Sequence, residues 1–251
     1  MNNGYYILLF SPHGLIRFND PEIGRDKDTG GQVKYVLELL ESLSHHPQVR
    51  KADLFTRKII DKRVSPSYEK EIETVNDKAR IVRISCGGNS YRQKENLWDH
   101  LDEFIDKTLR LLDKEADFPD VVHGHYADGN YLAGQISEIF GIPFLATGHS
   151  LGRNKKNILL QEGLLPEKIE EKFNLERRIE VEENTLQTAD VIIVSTRHII
   201  DTQYALYNNA ASGRFKVIPP GVNPEIFYPF YRLDMPSFKM SIEQEQAFYR
   251  V

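Results

Sequence analysis

Short apolar runs alternate with longer amphipathic segments along this chain. Residues 5–10 (YYILLF) form a continuous apolar run stopped by Ser11 and Pro12, the pattern of a strand buried on both faces. Residues 32–43 follow a Gly-Gly pair and carry Val33, Val36, Leu37 and Leu40 at i, i+3, i+4 and i+7, which predicts one apolar helix face. Residues 52–56 and 80–85 predict two further strands, and Leu97, Leu101, Phe104, Ile105, Thr108 and Leu112 predict the buried face of another helix. Beyond it come a short strand at 120–123, a helix at 130–140 stopped by Gly141, and a strand at 143–147. A long, highly charged helix is predicted over 167–188. The last strands lie at 191–195 and 215–218, with a helix near 198–206 between them.

Strand–helix alternation of this kind builds βαβ units, so the expected fold is α/β, a Rossmann-like parallel sheet flanked by helices. Ligands of such sheets bind outside the carboxyl ends of the strands. Four polar segments follow predicted strands and fall on that rim: residues 11–29, 87–94, 123–128 and 148–155. After Pro219-Pro220-Gly221 the alternation fades, and residues 230–251 mix Pro, Phe, Tyr and charges without a strand pattern. The expected organisation is one domain over 1–223, followed over 224–251 by a truncated linker toward a missing C-terminal domain.

Composition narrows the function classes. A formal net charge of -5 argues against a nucleic-acid binder, which normally carries a basic excess. Any anion site must then be a local basic cluster on an acidic background. The single cysteine, Cys86, excludes an internal disulfide framework and reads as a small buried residue near a strand end. Met1 to Gly4 runs into the apolar segment without a basic n-region or cleavage site, and no apolar stretch approaches the roughly 20 residues that span a bilayer. The expected location is cytoplasmic.

Four segments carry candidate chemistry. Asp28-Thr29-Gly30-Gly31-Gln32 joins the first strand to the first helix. Paired glycines let backbone approach a ligand, and the helix start offers free N–H groups to an anion; a plain turn would have the same sequence. His123-Gly124-His125-Tyr126-Ala127-Asp128 sets two imidazoles, a phenol and a carboxylate at a strand end. Such a set suits sugar hydroxyls, which need donors and acceptors, better than a metal, for which the ligand set is incomplete. Thr147-Gly148-His149-Ser150-Leu151-Gly152-Arg153-Asn154-Lys155-Lys156 places a histidine just past a strand and basic residues after it, fit for a phosphorylated ligand or for a solvated charged loop. In Arg177-Arg178-Ile179-Glu180-Val181-Glu182-Glu183, Arg178 and Glu182 are i, i+4 partners, either a surface ion pair or an arginine held rigidly toward a phosphate.

Taken in order, these residues resemble the family-4 glycosyltransferases, and within them the sucrose-phosphate synthase group. The resemblance rests on His13-Gly14-Leu15, on the run from Gly24-Arg25-Asp26 through Gln32-Val33-Lys34-Tyr35-Val36, and on His123–Asp128. It continues through 147–155, 177–183, Ser195-Thr196-Arg197 and Ile218-Pro219-Pro220-Gly221-Val222. It implies a two-domain GT-B protein in which this N-terminal domain binds the acceptor, fructose 6-phosphate. A C-terminal domain of the same protein would bind the donor, UDP-glucose. The implied reaction transfers glucose with retention to give sucrose 6-phosphate and UDP, with no cofactor and no strict need for a metal. Residue by residue, the resemblance puts Gly30 and Gly31 at the donor diphosphate and His149 in the catalytic site. Gln32 and Tyr126 fall at the fructose ring, and Lys94, Lys155 and Arg178 at the acceptor phosphate. Arg177 and Asp128 complete the candidate substrate-binding set. The basic residues Lys155, Arg177 and Arg178 favour a phosphorylated acceptor over free fructose. Two alternatives stay open: a sucrose synthase or mannosylfructose-phosphate synthase of the same group, and a stand-alone, non-catalytic sugar-phosphate-binding module. A reading frame that continues past Val251 into a second domain would exclude the module.

Overall fold

The first strand explains the architecture. In β1 (Tyr5–Phe10), Tyr6, Leu8 and Phe10 pack into one hydrophobic cluster while Leu9, with Ile7 against it, packs into another, so both faces of the strand are covered by protein. A strand of that kind sits at the centre of a parallel sheet. The computed structural model describes residues 4–222, and among them β1 lies inside an eight-stranded sheet of order β3-β4-β2-β1-β5-β6-β7-β8. Its members are β2 (Val49–Arg57), β3 (Ile72–Thr74), β4 (Ala79–Ile84), β5 (Val121–His125), β6 (Phe144–Thr147), β7 (Val191–Val194) and β8 (Phe215–Val217). Only β3 runs antiparallel, as a three-residue edge strand that the sequence pattern did not predict. Its burial is too slight to leave an apolar signature.

Helix α1 (Gly31–His45) buries Val33, Val36, Leu37 and Leu40 against one face of the sheet, the predicted stripe. Helix α2 (Leu101–Glu115) buries Leu101, Phe104, Ile105, Thr108 and Leu112 on the other face; Leu97, assigned to the same helix from sequence, lies in the loop before it. Helix α3 (Tyr126–Phe140) starts four residues earlier than expected and ends at Gly141 in the left-handed conformation, φ 65°. Three expectations need correction. The segment 167–188 is not one helix. It divides at Asn174, whose φ of 47° is left-handed, into α5 (Pro166–Phe173) and α6 (Leu175–Thr188). The end of the fourth rim segment is not a loop, because α4 (Gly152–Gln161) begins at Gly152. The helix near 198–206 is the shorter α7 (Arg197–Thr202) followed by a turn of 3₁₀ helix.

Packing separates one unit, Met1–Pro219, from a second, Pro220–Val251. The sequence-based linker assignment, 224–251, lies outside the described residues. No helix among the described residues is long and apolar enough to cross a membrane.

The sheet reverses its winding at β1. Strand β2 pairs on one side and β5 on the other, with Phe10 opposite both Phe55 and Gly124. A ligand crevice is expected at such a switch point, beyond the strands' carboxyl ends. The loop after β1 and the turn from β5 into α3 both open there, and so does the end of β6, whose Thr147 pairs with His125.

Candidate functional site

The floor of the crevice is the start of α1. Gly30 caps the helix at φ -122°, and no side chain satisfies the first free N–H groups. Neither Gly30 nor Gly31 uses a positive φ, so the strained turn allowed by the sequence does not form. A Cβ built on either glycine meets nothing within 4 Å. The pair is therefore demanded neither by the backbone nor by packing. Gln32, one turn-residue further, donates from Nε2 to Ser11 Oγ at 3.0 Å.

A basic cluster forms one wall. Buried Asp28 accepts from the backbone N–H of Lys94 at 3.0 Å and from its ammonium. Burial works to raise the Asp28 carboxyl, but these Lys94 contacts outweigh it and hold the pKa below the usual value. Lys94 is carried on a loop organised by Arg57, whose guanidinium donates to the carbonyls of Cys86 at 2.8 Å, Gly88 at 2.8 Å and Ser90 at 2.6 Å. Lys155 reaches the same wall from α4. Its Nζ lies 3.9 Å from Glu95 Oε1 and 3.9 Å from the centre of the Phe173 ring. Desolvation lowers the Lys155 pKa to about 8; Glu95 opposes that shift, while Lys94, Arg178 and Lys27 add to it. Three cations, Lys27, Lys94 and Lys155, thus converge on the Glu95 carboxylate.

Arg178 enters from α6. It is buried, with 2% of its surface exposed, so the alternative of a surface ion pair with Glu182 does not hold. Its Nε donates to Glu182 Oε1 at 2.9 Å and its Nη2 to Ser150 O at 2.6 Å, while the guanidinium stacks 4.3 Å over Tyr126. Glu182 also accepts from the Gly152 N–H at 2.9 Å and from the Tyr207 hydroxyl. A Cβ on Gly152 would fall 2.9 Å from Glu182 Oε2, which explains a glycine at this helix start. Burial raises the Glu182 carboxyl, and Arg178 works against that rise; the donors around it favour the ionised form.

A row of histidines forms the far side. His123 and His125 share one face of β5, their rings 4.1 Å apart. His123 Nε2 meets Thr147 Oγ1 at 2.8 Å, and His125 Nδ1 meets His149 Nε2 at 3.0 Å. Among the described residues His125 Nε2 has no hydrogen-bond partner. Burial lowers the His123 pKa to about 3 and carries that of His125 well below 6.5. His149 shifts the same way, first through desolvation and then through His13, but its side chain is exposed by area, so solvent screens part of that shift. Tyr126 and His149 both follow strand ends with left-handed φ values, 66° and 55°. Each such aromatic or imidazole residue costs about 1–3 kcal/mol, and strain of this kind gathers at functional sites.

The structure therefore brings together Gly30, Gly31, Gln32, Tyr126 and His149 at the crevice, with Lys94, Lys155 and Arg178 on its wall. Asp128 is close by, but both its oxygens are occupied: Oδ2 by His13 Nδ1 at 2.7 Å and Oδ1 by the Gly129 N–H at 2.7 Å. Arg177 points elsewhere, to Asp99 Oδ1 at 2.8 Å and the Trp98 ring. Residues that sequence reasoning passed over are Asp28 and Glu95 as carboxylate partners, and His13, which lies edge-on to Tyr126 at 4.8 Å. His13 and Asp28 had a sequence signal, their places in the His-Gly-Leu run and in the run from Gly24 to Val36. Among the described residues no group of three or more His, Cys, Asp or Glu side chains is arranged to hold a metal ion.

Comparison with known proteins places the chain in a family. Residues 2–209 match the family model described as the sucrose synthase first GT-B domain. Sucrose-phosphate synthase 4 of Arabidopsis thaliana is 41% identical over 225 residues, which cover 81% of this chain and 21% of that protein. The sucrose-phosphate synthase of Zea mays is 42% identical over 229 residues, again 81% of this chain and 21% of the relative. The chain thus spans about a fifth of the length of these curated relatives. Among solved structures, a sucrose-phosphate synthase from Thermosynechococcus elongatus superposes with a TM-score of 0.69 at 26% identity, over 90% of this chain and 51% of that one. The catalytic domain of starch synthase IV from Arabidopsis thaliana, at 11% identity and a TM-score of 0.54 over 88% of this chain and 52% of that one, shares the fold.

Proposed function

The chain belongs to the family of the sucrose synthase first GT-B domain, and from that premise we propose that it is the acceptor-binding domain of a retaining glycosyltransferase, a sucrose-phosphate synthase. The proposed reaction breaks the bond between the anomeric carbon of glucose and the diphosphate of UDP-glucose. A new bond forms to the anomeric hydroxyl of fructose 6-phosphate, giving sucrose 6-phosphate and UDP. The donor-binding domain would be a later part of the same protein, and a cytoplasmic location belongs to the same proposal.

One observation carries the choice of acceptor. Lys94, Lys155 and Arg178 come from a loop, α4 and α6 and meet beside Tyr126 at the switch point. A free sugar needs hydrogen-bonding groups, whereas convergent cations suit a phosphate. In this reading the three bases grip the acceptor phosphate, and Tyr126 and Gln32 face the fructose ring. His149, neutral at physiological pH, sits where the sugar of the donor meets that of the acceptor. Asp128 acts at one remove, by orienting His13. The open space over Gly30 and Gly31 admits the donor diphosphate to the free N–H groups of α1. Those N–H groups and basic side chains, with no strict need for a metal, would neutralise the leaving UDP.

The test is an activity assay of the full-length gene product. UDP-glucose, ADP-glucose and GDP-mannose are offered as donors against fructose and fructose 6-phosphate. Transfer from UDP-glucose to fructose 6-phosphate is the expected preference. A preference for free fructose would point to a sucrose synthase, and a preference for GDP-mannose to the mannosyl enzyme.

A further inference from the structure

Glu95 has an unusual position. It follows Lys94 in a short 3₁₀ turn, and its side chain is only 8% exposed. Oε2 accepts from Lys27 Nζ at 3.1 Å. Oε1 lies 3.7 Å from Lys94 Nζ and 3.9 Å from Lys155 Nζ, is buried, and has no hydrogen-bond partner among the described residues. A carboxylate oxygen is thus held between two ammonium groups yet bonded to neither. A buried acceptor in that state is poorly satisfied and is displaced at little loss.

The neighbouring ion pairs are made differently. Lys94 is fixed on Asp28 through both its ammonium and its backbone N–H. Arg178 is fixed on Glu182 and Ser150. These two cations keep their positions whatever Glu95 does. Lys155 has Glu95 as its one ion-pair partner among the described residues. Like charges on Lys94, Lys155 and Arg178 repel one another in a half-buried setting and need an anion between them. Glu95 supplies it.

We propose that Glu95 is a place-holding anion: its carboxylate occupies the phosphate subsite in the empty domain and is displaced by the phosphate of an incoming sugar phosphate. This rests on the reading of the wall as a phosphate site. Glu95 stabilises the empty cluster and competes with the ligand. It therefore weakens the binding of every anion, and only a dianion with good geometry displaces it. Lys27, exposed and hydrogen-bonded to Glu95, is the partner toward which the carboxylate can swing.

The test is titration of the 251-residue chain, and of its Glu95→Gln and Glu95→Ala variants, with inorganic phosphate, fructose 6-phosphate and fructose. Thermal melts verify folding. Both variants are expected to bind phosphate and fructose 6-phosphate about ten-fold more tightly than the unaltered chain, the size of one like-charge repulsion across a partly buried site, with fructose binding unchanged. In a Lys155→Ala background the gain should shrink. Folded variants whose phosphate affinity is unchanged or weaker would overturn the place-holding role. The phosphate reading itself survives that outcome if the unaltered chain still prefers fructose 6-phosphate to fructose. If the unaltered chain shows no such preference, and Lys155→Ala changes nothing, the phosphate reading and the place-holding role fall together.

Discussion

Lys155 and Arg178 share a ligand in the proposed site but differ as probes of it. Removing Arg178 leaves Glu182 buried without its charge partner, a loss of about 3–5 kcal/mol that would confound any binding measurement. Lys155 is half-buried and bonded to nothing so firmly. Its pKa of about 8 also supplies a pH test. A sugar phosphate is already mostly dianionic at pH 7, with its second pKa near 6, so the change above pH 8 belongs to the protein. Lys155 loses its proton in the empty domain as pH rises through about 8 and must regain it to bind the dianion. Fructose 6-phosphate affinity should therefore fall by up to about ten-fold per pH unit above pH 8, and Lys155→Arg, which stays charged, should remove the fall. Affinity that is flat from pH 8 to 10 would show that Lys155 does not carry charge to the ligand. At this scale the sequence was informative where a residue sat in a local run: Tyr126 and His149 lie just past strand ends, and Lys155 in the basic run that follows His149. It was silent on the partners of Asp28 and Glu95, because a carboxylate's partner 66 residues away, as Lys94 is from Asp28, leaves no local mark.

Strand ends and helix starts set the remaining chemistry. His123 and His125 are buried at the end of β5 and stay neutral in the folded chain, His123 down to about 3 and His125 well below 6.5. The unfolded chain binds protons at both near pH 6.5, so below that pH it binds more protons than the folded state. Stability should then be complete above pH 6.5 and decline as pH falls toward 3, by up to about 1.4 kcal/mol per pH unit for each histidine. Denaturant melts between pH 4 and 8 measure this, and His123→Gln should flatten the slope. The start of α1 makes an opposite kind of prediction. Since a Cβ at Gly31 meets nothing and φ is not positive, Gly31→Ala should fold with undiminished stability. In the full-length enzyme the same change should lower kcat about 10²–10³-fold, the range for losing an oxyanion donor. Near-normal turnover would reduce the Gly-Gly pair to a helix start. Element types were legible in the apolar pattern, and boundaries less so. The break at Asn174 escaped notice because left-handed asparagine looks like any polar helix residue, and α4 because its surface carries only one fully buried residue, Gly152.

For the molecule as a whole, strand alternation was enough to infer a parallel sheet, and the eight-stranded order adds where it reverses. That reversal, between β2 and β5 around β1, could not be read from sequence because strand order depends on which strands pair, not on their own residues. It gathers loops separated by more than a hundred residues into one crevice, and the proposed acceptor site follows from it. The curated relatives extend well beyond the matched region, which covers 21% of their length in the Arabidopsis thaliana and Zea mays proteins. Acceptor recognition is the part of the account that this chain can answer for directly. The measurement is calorimetric titration of the chain with fructose 6-phosphate and with fructose, repeated on Lys155→Ala. A charge-assisted contact to phosphate contributes about 1.5–3 kcal/mol, so fructose 6-phosphate should bind at least ten-fold more tightly than fructose, and Lys155→Ala should erase most of that preference. Equal affinities for the two sugars, or a preference that survives the loss of Lys155, would contradict the assignment of this wall to the acceptor phosphate.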